Sequence, residues 1–192
     1  MGKDSINNVL FALGAIGCLI LVILFGYNLY SLLFAAPFLP ILDWVAVLAL
    51  VFVALAIVAL YRETGSFIPL IAMILLLVLQ ILVALLLLDI LFPLLLTVLD
   101  FATANLYLSW LFWIFYLIIY LILGYSIWMT RDEIGITATL AGILFMIWGF
   151  LNLVLQFLTY GLPPSILNQV WLVGVVLVYL FGFIYFIMAL RE

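Results

Sequence analysis

Side chains able to do chemistry are few in this chain, and their spacing limits what they can do. There are four Lys and Arg, eight Asp and Glu, one cysteine and no histidine. Lack of imidazole excludes His-ligated haem, imidazole-bound zinc or copper, and histidine proton relays within this chain. Cys18 stands alone in an apolar run, so no intramolecular disulfide can form. There is no Walker loop, no GxSxG, no paired CxxC, no HExxH and no acidic cluster at metal-ligand spacing. The chain therefore reads as a non-enzyme that needs no cofactor. Asp132 and Glu133 are adjacent and read as a solvated turn. Asp43, Asp89 and Asp100 could meet on one face as a weak cation site, although carboxylates at an interface are ordinarily just hydrated.

The elements that must position these residues follow from composition. Hydrophobic residues make up 73% of the chain and charged residues 6%, with a mean hydropathy of +1.64. That is far from the soluble balance of about half apolar and a quarter charged, and it marks an integral membrane protein. A hydrocarbon core of about 30 Å takes roughly 20 apolar residues per helix, so 192 residues hold about six spans in a single helical domain. The net charge of −4 supplies no basic surface for nucleic acid.

Taken in order, Asp4 or Ser5 is expected to cap a first span running from Val9 to about Phe34. Its apolar run is too long for a signal-peptide core, so it reads as a retained span. Pro37 and Pro40 break the chain, and Asp43 and Trp44 mark the start of a second span ending near Leu60. Tyr61 to Ser66 is a turn with an aromatic anchor and a terminating glycine, Gly65. Further spans are expected from about Leu106 to Trp128, Ile134 to Tyr160 and Ile166 to Leu190, giving an all-α bundle of six transmembrane helices in three hairpins.

Lys3, Arg62, Arg131 and Arg191 fall before the first span or after the second, fourth and sixth. Because the excess of Lys and Arg near span ends sets orientation, both termini are expected on the cytoplasmic side of the cell membrane. An arginine beside an acid recurs after each hairpin, as an internal repeat would require, but any hairpin protein needs charge at its cytoplasmic turns.

Phe67 to Leu99 is too long to cross as one straight helix. At about 1.5 Å per residue it makes roughly 50 Å, and tilting that into a 30 Å core exceeds the roughly 40° limit. Pro93 removes the hydrogen bond to the Asp89 carbonyl, so a kink or break is expected near Asp89 to Pro93. Counted from Phe67, Asp89 then falls about 33 Å along, at the external edge.

One helix writes its packing face into its sequence. Gly135, Gly142, Gly149 and Gln156 fall seven residues apart, with Thr139, Met146 and Asn152 filling the same side. Gly135, Gly142 and Gly149 are expected to line a helix-packing seam, with Asn152 or Gln156 bonding across it. Trp148 points off the seam, where its N–H needs a partner. Under the expected topology the amides and acids, among them Asn28, Asp43, Gln80, Asp89, Asn152 and Gln156, lie in the external half. The cytoplasmic half carries only hydroxyls, chiefly Tyr120, Tyr125, Ser126, Thr137, Thr139 and Tyr185.

The turn Tyr61-Arg62-Glu63-Thr64-Gly65 before an apolar helix, with the hairpin from Tyr125 to Gln156, resembles small archaeal multi-pass membrane proteins of unknown function. The resemblance implies an archaeal source and a bundle without soluble domains, and it carries over no functional residue.

A path for a polar solute needs polar partners along its whole length, because an unsatisfied polar group in an apolar medium costs several kcal/mol. Here they lie on one side only. The first functional expectation is a non-catalytic structural or accessory subunit, packed with other membrane protein subunits and membrane lipids, with no nucleic acid or soluble cofactor as partner. The alternative is a small transporter or channel for a weakly polar or lipid-like molecule. Its site would be an external polar crevice of Gln80, Asp89, Asn152 and Gln156.

Overall fold

In an apolar medium every backbone N–H and C=O must be satisfied inside the chain, and a sequence this apolar meets that demand with helices. The computed structural model describes the backbone of residues 3–35, 37, 39, 41–87, 101–158 and 163–191. Among them are seven helices: α1 (Lys3–Phe34), α2 (Ile41–Thr64), α3 (Ile68–Leu87), α4 (Phe101–Met129), α5 (Arg131–Ile134), α6 (Ile136–Leu158) and α7 (Pro164–Ala189). No strand occurs among the described residues. Five of these helices, α1, α2, α4, α6 and α7, are long and apolar enough to cross a membrane. This is the architecture of an integral membrane protein. The described apolar stretch of α3, Ile68–Leu82, is shorter. The break expected near Asp89 to Pro93 lies outside the described residues.

The helices pack in a closed ring. α1 lies against α2 and α7, α2 against α3, α3 against α4, α4 against α6, and α6 against α7. Close approaches show the directions. Gly14 lies over Ala56 and Gly17 over Val53, so α1 and α2 are antiparallel. Phe11 stacks on Phe186 at 6.2 Å, while Phe25 meets Trp171 at 5.8 Å, so α1 and α7 are antiparallel too. Gly124 meets Gly142, and Leu117 meets Gly149, which sets α4 against α6 in the same sense. The start of α1 and the ends of α2, α4 and α7 therefore share one end of the bundle. Lys3, Arg62, Arg131 and Arg191 gather there.

The turns at that end are built from residues with special backbone needs. Gly65 has φ +71, and its N–H bonds the Tyr61 carbonyl at 2.8 Å. Tyr61 and Phe67 close the turn ring to ring at 4.3 Å. Between α4 and α6, the guanidinium of Arg131 lies 3.8 Å over the Trp128 ring, a cation–π contact that suits a membrane interface. At the opposite end, Tyr27 donates to the Pro37 carbonyl at 3.1 Å and ties the chain after α1 back to that helix.

Several boundaries differ from the sequence reading, among them that of α4, which starts at Phe101 and not near Leu106. α1 is already helical at Lys3, so Asp4 and Ser5 lie inside its first turn rather than capping it. Tyr61 to Thr64 continue α2, and the chain turns only at Gly65. The helix expected from Ile134 is interrupted by Gly135, which has φ +78 and separates α5 from α6.

Candidate functional site

The interior of the ring is aromatic at mid-height, and its polar atoms bond one another. Tyr120 on α4 and Tyr179 on α7 point inward until their hydroxyls are 3.3 Å apart. Neither helix is a close neighbour of the other in the ring, so only long side chains can bridge them. Asn152 on α6 is 1% exposed. Its Nδ2 donates to the Trp148 carbonyl at 2.8 Å, and its Oδ1 accepts from the Trp171 indole at 2.8 Å. Phe25 stacks on Tyr179 at 6.0 Å, and Phe145 lies 6.0 Å from Tyr120. The result is a packed plug joining α1, α4, α6 and α7.

A glycine makes room for it. A Cβ on Gly174 would overlap the Trp148 ring, so α7 can pass that indole only because it has no side chain there. The α4–α6 seam is closer still. A Cβ on Gly142 would lie 2.6 Å from the Gly124 carbonyl oxygen, and a Cβ on Gly124 would lie 2.6 Å from that of Gly142. Small residues that admit a facing backbone are the usual device where lipid tails give no hydrophobic drive for helices to associate. Gly149 lies on the same seam, 3.1 Å from the Leu117 carbonyl oxygen by the same measure. Gly135 does not. Nothing lies within 4 Å of its Cβ position, and its positive φ suits it to the turn into α6 rather than to a helix face.

The four residues expected to line an external crevice are not shown together. Asp89 lies outside the described residues, as does Asp100. Gln80 is half-buried on α3, while Asn152 and Gln156 are buried on α6, and α3 borders α2 and α4 in the ring. Asn152 faces α7 with both ends of its amide engaged, so it closes a helix contact instead of opening a site. The described residues hold no group of three acids or cysteines placed to bind a metal. Asp132 is 88% exposed, and its contact with Arg131 Nε is 3.7 Å long. A surface pair of that kind contributes about 0–1 kcal/mol.

A second hydroxyl contact pins the charged end. Thr130 donates its one proton to the Ile127 carbonyl at 2.7 Å, so Tyr185, 3.1 Å away, is the donor in their shared bond. Sequence reasoning named Tyr120, Tyr185, Trp148 and Asn152 but missed Trp171, Tyr179 and Gly174. The heptad stripe of α6 was visible because one helix carries it. The partners on α7 were not, because nothing local to α7 marks which residue meets Trp148 or Asn152.

No family model, no curated protein and no solved structure matches this chain.

Proposed function

We propose that the chain is a non-catalytic structural or accessory subunit that packs within a larger membrane protein complex. It crosses the cell membrane six times as three hairpins, with α3 as the third span. The end carrying Lys3, Arg62, Arg131 and Arg191 faces the cytoplasm. The observation that carries this reading is the plugged interior. Interior polar atoms that a translocation path would use for its cargo are occupied by each other, in the Trp171–Asn152 and Tyr120–Tyr179 contacts. The outward face of α6 offers Leu140, Ile143, Ile147, Phe150, Val154 and Phe157, all exposed and all apolar. Lipid covers such a face as readily as a partner helix does, so specificity would come from shape and small-residue contacts.

The plugged interior also weighs against the transport alternative, since Asn152 is withdrawn from any crevice. The deciding experiment is extraction from the native membrane in mild detergent, capture on this chain, and mass spectrometry of what is retained. Membrane proteins recovered at fixed stoichiometry are the expected result. Recovery of this chain alone, as monomer or homo-oligomer, overturns the reading.

A further inference from the structure

The two hydroxyl pairs inside the bundle differ in whether their protons all find acceptors. A hydroxyl carries one proton and can accept two. In the first pair Tyr185 donates to Thr130, and Thr130 passes its own proton to the Ile127 carbonyl. That pair closes. In the second, Tyr120 and Tyr179 hold two protons and share a single contact, 3.3 Å long. Whichever of them donates across it, the proton of the other has no acceptor among the described residues.

The side chains explain the difference. Threonine keeps its oxygen beside Cβ, within reach of a carbonyl three or four residues back on its own helix. A tyrosine oxygen lies across the ring from its own backbone, and among the described residues no carbonyl accepts from either phenol. The stacked rings do not take the proton either. Phe25 lies on Tyr179 with 5° between the ring planes, and Tyr116 lies on Tyr120 with 25° between them. A phenol proton stays in the plane of its own ring, so it runs along such a face instead of into it. That leaves the tilted Phe145 ring, 6.0 Å from Tyr120, and the Cys18 sulfur, which meets Phe145 over Gly182, one turn beyond Tyr179. Both are weak acceptors.

Tyr120 and Tyr179 are each 4% exposed, so the spare proton is shut inside the plug. Stranding a buried donor is the costlier alternative to immobilising one water. The partner this proton requires is an acceptor by its chemistry and small by the packing of the rings around it. It is also uncharged, because the plug residues carry no charge that could offset an ion.

We infer that the Tyr120–Tyr179 pair binds one internal water molecule, which accepts the spare phenol proton and returns a proton to a lone pair of the other phenol. The two oxygens meet the minimum set of polar partners that a buried water requires. Because α4 and α7 are not neighbours in the ring, the water completes the link that joins them across it. The site is independent of the accessory-subunit reading.

The test is a crystal structure of the full chain, grown from a lipid mesophase, at a resolution where ordered waters are seen. The wild type should show a density peak at hydrogen-bond distance from both phenol oxygens. The double variant Tyr120→Phe with Tyr179→Phe keeps both rings and should lose that peak. Infrared spectra of the wild type in nanodiscs, in ordinary water and in water enriched in the heavy oxygen isotope, carry the test where the variant fails to fold. They should show a narrow O–H stretching band that shifts with the isotope, as a phenol band does not. A wild type with no such peak or no such band overturns the proposal, since the spare proton would then rest on Phe145 or Cys18. A peak that persists unchanged in the double variant also overturns it, because other groups would then hold the water.

Discussion

At the scale of single residues, the informative side chains are those whose polar atoms find partners inside the bundle. Asn152 meets two needs at once, accepting the Trp171 N–H and returning its own N–H to the Trp148 carbonyl. In water, stranding a buried donor costs about 1–3 kcal/mol. In a bilayer the unfolded reference also finds partners, and measured couplings average about 0.6 and reach about 1.7 kcal/mol. The second range governs here. A double-mutant cycle of Asn152→Leu and Trp171→Phe, read by equilibrium unfolding in mixed micelles, should return a favourable coupling of about 0.6–1.7 kcal/mol. A coupling of zero would mean that the bond does not hold α6 to α7. The presence of Asn152 on an inward stripe was legible in the sequence. Its partner was not, because a hydrogen bond between helices depends on rotation and height that apolar composition leaves free.

At the scale of helices, the contacts grade the glycines. Gly26 has nothing within 4 Å of its Cβ position, so Gly26→Ala should be neutral or stabilising by up to about 1 kcal/mol, the ordinary gain of alanine in a helix. Gly149→Ala asks the Leu117 carbonyl to move by a few tenths of an ångström and should cost little. Gly142→Ala drives a methyl into a backbone oxygen, which yields only if α4 and α6 separate. Gly174→Ala meets the Trp148 ring instead, and that ring is buried, with little room to give way. Both should destabilise by about 1–3 kcal/mol, the usual range for overpacking. Denaturant midpoints of the four variants should follow that order. If Gly142→Ala matched Gly26→Ala, the α4–α6 approach would be wrong. The seven-residue spacing located this seam at Gly142 and Gly149 but extended it one step too far. At Gly135 the same residue type serves a turn, and spacing alone does not separate a glycine needed for its missing side chain from one needed for its φ.

At the scale of the whole molecule, the ring explains why charge gathers where it does. Antiparallel neighbours return each turn to one end or the other, and every Lys and Arg of the chain belongs to the same end. That grouping follows from the packing, whereas the side of the membrane proposed for it rests on the positive-inside rule alone. Cysteine labelling tests that side. Cys18 is buried beside Gly182 and can be replaced by alanine to give a background without thiols. Single cysteines then go in at Ser165, exposed at the start of α7, and at Asp132, exposed between α4 and α6. Replacing an acid disturbs topology little, because acids contribute little to it. A membrane-impermeant maleimide applied to intact cells should label Ser165→Cys and should reach Asp132→Cys only after permeabilisation. The reverse pattern would turn the bundle over. Labelling of both from outside would contradict the alternation of the ring, because α6 alone separates the two positions and must carry the chain from one face to the other.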